Sequence, residues 1–305
     1  MLCFFIASCN THHIEEKSFL FEAELTVAHR FPIHESFSPF RMHMHNEYLI
    51  LSNTFNPNNP VDYFYQAYKL SDFTFVGAFG PRGRGPGEWL NPDVVWTAST
   101  SPFFYLCEFS SRQSTAIIHK MAIDSLVKLI EVGSFSVEKG NCTMNRPVIK
   151  NDSLLVFDEF TPDIRALRVH HLLDDHPVIT WEYGTTTPMD KLYLEENRGI
   201  LRANDSSIVF IYLYKDMIDI MDWDLKLKKR INYQRRKPVL HENLPDNKIY
   251  HTATFLGENF LYAFYSDIPE TERKARNRHS LALEVFDMNA IPVSRLTNPP
   301  QLPSP

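Results

Sequence analysis

The sequence predicts an all-β fold, a β-propeller of four-stranded antiparallel blades, on three observations. Short β-branched and aromatic runs recur between Asn, Asp, Gly and Pro clusters, no long amphipathic helix interrupts them, and one unit repeats at a nearly constant step. The unit is a polar turn followed by an apolar run that returns to polar residues. It occurs at Asn46–Leu51, Ser101–Leu106, Asn151–Phe157, Asn204–Phe210 and Glu258–Ala263, so its starts lie 55, 50, 53 and 54 residues apart. A four-stranded blade with its turns takes roughly 40 to 50 residues, so each step holds one blade with somewhat long loops.

The elements follow in order from that frame. Phe19 to Phe31 precedes the first repeat and alternates through Phe21-Glu22-Ala23-Glu24-Leu25-Thr26-Val27, which reads as an outer strand closing the ring. Within each repeat a second apolar stretch follows, as at Ala166 to Val169, Met217 to Met221 and Leu281 to Phe286. A sixth blade would begin after Ile291-Pro292-Val293, where the chain becomes Pro-rich. The expectation is therefore six blades with the last incomplete, or alternatively five, in a single domain over residues 19–305.

The amino terminus reads differently. Met1 to Ser8 is a short apolar stretch ending in small residues before Cys9, far shorter than the roughly 20 residues a membrane-spanning helix needs. Ile6-Ala7-Ser8-Cys9 resembles a bacterial lipobox, which makes residues 1–8 a truncated signal remnant, Cys9 the lipidated residue and residues 9–18 a tether. By that resemblance the protein is held in the cell envelope by a lipid anchor, facing the periplasm or exposed on the outer membrane. Of the other cysteines, Cys107 lies in an apolar strand-like run and Cys142 in a polar one, and their spacing leaves open whether they are bridged.

Composition narrows the partner. A chain 44% hydrophobic and 22% charged has the material for a packed core, and a formal net charge of -6 gives no basic field for phosphates, so nucleic acid is excluded as the main partner. The expected partner is a protein, peptide or glycan, met by a monomer.

One loop is sharper than the rest. Phe79 to Pro92 places Gly80, Gly83, Gly85 and Gly87 within eight residues, followed by Glu88 and Trp89. A phosphate-binding loop needs a helix after it, and Pro86, Pro92 and the β-rich continuation supply none. The structural reading is that the glycines reverse the chain between the outer strand of one blade and the inner strand of the next, with Trp89 covering the seam. The run from Gly80 to Trp89 resembles the Gly-x-x-Gly-x-Gly-Pro-Gly-Glu-aromatic signature of the TolB-like six-bladed propeller proteins of Gram-negative anaerobes, many of them lipoproteins. Pro92 also resembles the NHL-repeat pattern. That resemblance implies fold and envelope location and no assigned activity.

Chemistry is sought where inner strands begin, because propeller sites gather at the channel mouth. Arg41, Asp93, Arg146, Arg198 and His251 precede the five repeat starts and would form a polar, mostly cationic mouth suited to a carboxylate or sugar acid, or would pair with neighbouring blades. His43 and His45 share one strand face, with Glu47 on the same alternation and His29 and His34 nearby, but no set with metal-ligand spacing is complete. No Gly-x-Ser-x-Gly elbow is present, and the pairs Asp158-Glu159 and Glu195-Glu196 point to opposite faces of a strand. No cofactor, metal or catalytic residue is assigned. The preferred function is a binding or scaffold module, and the alternative is an enzyme acting on an extracellular saccharide or other anionic substrate at the mouth.

Overall fold

The computed structural model describes residues 11–13, 18–24, 39–53, 63–98, 101–108, 114–123, 128–140, 142–161, 164–173, 178–185, 197–233, 247–269, 271–272, 282–289 and 291–297. Apart from a helical turn at 271–272, their regular structure is strand. The chain forms two compact units, one of residues 28–155 and 170–176, the other of residues 1–27, 156–169 and 177–305.

Two short strands come first, β1 (Thr11–His13) and β2 (Phe21–Glu24). Five antiparallel four-stranded meanders follow among the described residues. They are β3 (Pro39–His45), β4 (Tyr48–Asn53), β5 (Tyr63–Lys69) and β6 (Phe75–Pro81), then β7 (Pro92–Thr97), β8 (Phe103–Glu108), β9 (Thr115–Ile123) and β10 (Leu129–Glu138). The third is β11 (Thr143–Lys150), β12 (Leu154–Phe160), β13 (Ile164–His171) and β14 (Ile179–Thr185), and the fourth β15 (Gly199–Ala203), β16 (Ile208–Tyr212), β17 (Met217–Met221) and β18 (Leu227–Asn232). The last is β19 (Lys248–Leu256), β20 (Phe260–Pro269), β21 (Ala282–Asp287) and β22 (Pro292–Thr297). The result is a propeller-like, all-β fold.

The repeat seen in the sequence is the first hairpin turn of each meander, between its first and second strands. Asn46, Asn151 and Asp152 have φ of 51°, 49° and 56°, the left-handed region that short polar side chains tolerate in tight turns. At the fourth start Asn204 Oδ1 accepts from the amides of Ser206 and Ser207 at 3.1 and 3.0 Å, an Asx turn that holds the reversal.

In the unit containing β3 to β11, the seam between the first two meanders is a core of Ile50, Phe64, Tyr65, Ala67, Phe79, Trp89, Val94, Phe104, Leu106 and Met121. Tyr65 stacks on Phe79 at 5.2 Å, and Phe104 meets both rings edge-on. First strands also meet directly, because β11 pairs in parallel with β7 through Val148 opposite Trp96 and Ile149 opposite Thr97.

In the other unit, Val209, Ile211, Ile218, Ile220, Ile231 and Tyr233 of the fourth meander pack with Leu261, Ala263 and Phe286 of the last. Phe210 is fully buried among Trp181, Tyr183 and Tyr212, with ring centroids 4.7 to 6.1 Å away. Here the outer edges are extended: β1 lies parallel to β18, and β2 parallel to β22 with Phe21 opposite Ser294 and Glu24 opposite Thr297. Phe21–Glu24, the described part of the alternating segment, is thus an outer strand on the last sheet; residues 25–31 lie outside the described residues.

Candidate functional site

The five residues proposed for the mouth all fall on first strands or directly before one: Arg41 on β3, Asp93 on β7, Arg146 on β11, Arg198 one residue ahead of β15 and His251 on β19. Arg41, Asp93 and Arg146 belong to one unit, Arg198 and His251 to the other. Arg146 adopts φ 50°, a conformation uncommon for a side chain of its size, and is partly buried. Arg198 is exposed, and its carbonyl accepts from Leu213 N at 2.8 Å.

His251 needs a correction. It is fully buried, with Nε2 3.6 Å from Glu284 Oε2 and its ring edge-on to Tyr265 at 5.7 Å, so it faces an interior and not a mouth. The reason is ordinary strand alternation: Ile249 and His251, two apart on β19, are both buried, so His251 continues the inward side that Ile249 begins.

Arg41 and Asp93 do meet. Arg41 Nη1 donates to Asp93 Oδ1 across the seam between β3 and β7, and the same oxygen accepts from Val94 N at 2.9 Å. The arginine keeps 44% of its side chain exposed and the aspartate 25%, so the pair presents a guanidinium to solvent with the acid behind it. Beneath them the Tyr65 hydroxyl donates to Pro92 O at 3.0 Å. Burial first, and then the Asp93 charge, push its phenol far above the ordinary range, while Arg41 and Arg82 pull the other way. Two guanidinium groups therefore bear on one buried hydroxyl.

Arg82 enters this cluster from the glycine loop. Its Nη2 donates to Asn53 O at 2.8 Å and its guanidinium lies 3.7 Å over the Phe64 ring, while Asn53 in turn donates to Gln66. Arg82 is not among the residues that the repeat spacing singles out; its signal in the sequence is the Arg82-Gly83-Arg84 run inside the glycine loop. Arg84, two residues on, is exposed.

The loop itself, between β6 and β7, is organised by Glu88. Its Oε2 accepts from Gly85 N at 2.7 Å while Glu88 N donates to Gly85 O at 3.0 Å. Gly83 N donates to Trp89 O at 3.1 Å, and Trp89 N to Pro81 O at 2.8 Å, which closes the neck of the loop. Gly83 has φ 157°, which favours glycine, and a Cβ there would also displace the Glu88 carboxylate from the loop. Trp89 is buried against His119, 4.9 Å away and edge-on. No helix follows the loop.

Several other polar groups are held in structural pairs. Asp219, fully buried, takes both nitrogens of the Arg230 fork at 2.6 Å and the Tyr212 hydroxyl at 2.8 Å. Asp152 holds Lys120 and Tyr105. The adjacent acids Asp158 and Glu159 are split between Tyr183 and Arg168, each at 2.5 Å. His43 and His45 are 3% and 8% exposed and pack on Trp96 and Phe104, a core position for both. Among the described residues no group of three His, Cys, Asp or Glu is placed to hold a metal ion. Cys107 and Cys142 are buried and not bridged to each other, the Cys142 thiol donating to Lys139 O at 2.8 Å, and burial pushes the Cys107 thiol up to about 12. Cys9, His29, His34 and Glu195-Glu196 lie outside the described residues.

No protein-family model and no curated protein matches the sequence. The fold has solved counterparts. A member of the DUF4221 family from Bacteroides vulgatus superposes with a TM-score of 0.53 at 14% identity, over 87% of this chain and 82% of that one. An inferred exported protein of Bacteroides fragilis gives a TM-score of 0.48 at 12% identity, over 95% and 80%. At such identities the likeness is one of fold alone, so the chemistry has to be argued from the Arg41, Arg82, Asp93 and Tyr65 cluster itself.

Proposed function

We propose that this chain is a non-catalytic binding module of the cell envelope, tethered by a lipid on Cys9, whose Arg41–Arg82 cluster grips the acidic group of a glycan or peptide. The single observation that carries the binding reading is the state of Asp93: the one acid in the cluster is spent on Arg41 and a backbone amide, while the arginine remains 44% exposed. A general acid or base needs a carboxylate free to exchange a proton with substrate, whereas an anion site needs a guanidinium that is held in place and reaches solvent. A five-bladed reading fits the five meanders better than six, and the glycine loop still supports kinship with the TolB-like propellers.

The test is calorimetric titration of the purified protein with oligogalacturonate and with its neutral, reduced counterpart, together with product analysis after long incubation. The expected result is binding of the acidic oligosaccharide alone, at least tenfold weaker for Arg41→Ala and for Arg82→Ala, with no shortened product. Release of new reducing ends would establish the alternative, an enzyme on an anionic saccharide. Equal binding of both sugars would remove the anion site.

A further inference from the structure

The outer edges of the sheets are not treated alike. The fourth strands β18 and β22 are each covered by a short parallel strand, β1 and β2 respectively. They are also edges that carry cations, Lys228, Lys229 and Arg230 on β18 and Arg295 on β22, a common means of blunting a strand edge. The equivalent strand β10 has neither device. It ends its sheet with no further strand among the described residues, and Leu129–Glu138 contains no Lys, Arg or Pro.

Two features make β10 receptive as well as open. At ten residues it is longer than β6 and β14, the other outer strands without a fifth neighbour, which have seven each. Residues 130–134 are all exposed, with Ile130 and Val132 at 51% and 50%. One protection exists, a register irregularity between Glu131 and Gly133, which leaves Gly133–Glu138 as an uninterrupted ladder opposite Lys120–Thr115.

We propose that the β10 edge is a docking site for an extended segment of another protein, added as a strand from Gly133 to Glu138 with Ile130 and Val132 as its apolar flank. Backbone groups of such an edge supply affinity and the alternating side chains supply selection. The partner that fits alternates apolar residues with lysine or arginine, because the charged side chains on this strand are both acids: Glu138, exposed at the end of the added stretch, and Glu131, exposed on its flank with Oε1 3.1 Å from His119 Nδ1. The chain's own β1 and β2 establish that fourth-strand edges of this fold accept an added strand of three or four residues.

The experiment uses the full chain and two acetylated ten-residue peptides, one alternating Val and Thr with Lys and one with Glu in place of Lys. Hydrogen exchange and fluorescence anisotropy are read together. The expected result is anisotropy binding of the Lys peptide with slowed exchange across 129–138 and none across 227–232 or 292–297. Binding should weaken at least tenfold in Ile130→Lys/Val132→Lys, whose exposed positions leave the fold intact by circular dichroism, and should be absent for the Glu peptide. Unchanged exchange at 129–138 with both peptides overturns the proposal, as does protection of 129–138 without peptide in a species that light scattering shows to be a dimer.

Discussion

Gly199→Ala would add one methyl group to the first residue of β15, and the structure sets what that methyl meets. Its ideal position lies 2.8 Å from the Ile211 carbonyl oxygen and closer still to two ring carbons of Phe210, against the roughly 3.5 to 4.0 Å of a relaxed carbon contact. Neither neighbour can yield cheaply. The oxygen belongs to β16, paired with β15 through Ile200 opposite Ile211, and the Phe210 ring is fully buried with Tyr183 at 4.7 Å and Tyr212 at 5.1 Å. Backbone or ring must move by about 1 Å, which places the cost at the upper part of the usual overpacking range, about 3 kcal/mol. Gly133→Ala is the internal control, because nothing lies within 4 Å of its Cβ position. Equilibrium urea unfolding followed by tryptophan fluorescence should show a much lower midpoint for Gly199→Ala and a shift within about 0.5 kcal/mol for the control. Gly199→Ala/Phe210→Leu should lose less than the sum of its parts, since the shortened side chain vacates the space. A Gly199→Ala midpoint equal to wild type would refute the reasoning.

Asp219→Ala should destabilise by about 3 kcal/mol or more, because it strands the Arg230 fork and the buried Tyr212 hydroxyl together, and Asp219→Ala/Arg230→Met should recover part of that in the same urea assay. His45 has its pKa lowered by burial, so the unfolded chain takes up a proton that the native state resists. Its contribution to stability is therefore complete above about pH 6.5 and is lost as pH falls below that value; the fall in urea midpoint between pH 7.5 and 5.0 should be smaller in His45→Leu than in wild type.

What the sequence disclosed and what it concealed divide along local and non-local lines. The turns at Asn46, Asn151 and Asn204 were legible because a left-handed residue or an Asx turn is decided by the side chain at that position. The placement of Arg41, Asp93, Arg146 and His251 on first strands was legible from the same period. Their neighbours were not. Asp93 spends its carboxylate on a residue 52 positions away, and His251 faces Glu284 on another strand, pairings that leave no mark in hydrophobic alternation. Arg82 is hidden for another reason: it lies in an irregular loop, where no strand period assigns its side chain a direction. Thr11–His13, read as part of a tether, forms a strand only because β18 supplies a partner more than 200 residues on, pairing Thr11 with Arg230.

That long reach has a consequence for how the molecule is made. Each meander is built from neighbouring hairpins and can begin to form as soon as its own residues leave the ribosome, since local contacts close quickly. The fifth strand of the last sheet cannot. Phe21 is synthesised long before its partner Ser294, so β2 must wait, unpaired, until the whole intervening chain exists. Its docking is then a late event, and the outer edge of β22 stays uncovered in the nascent chain until translation has passed Thr297.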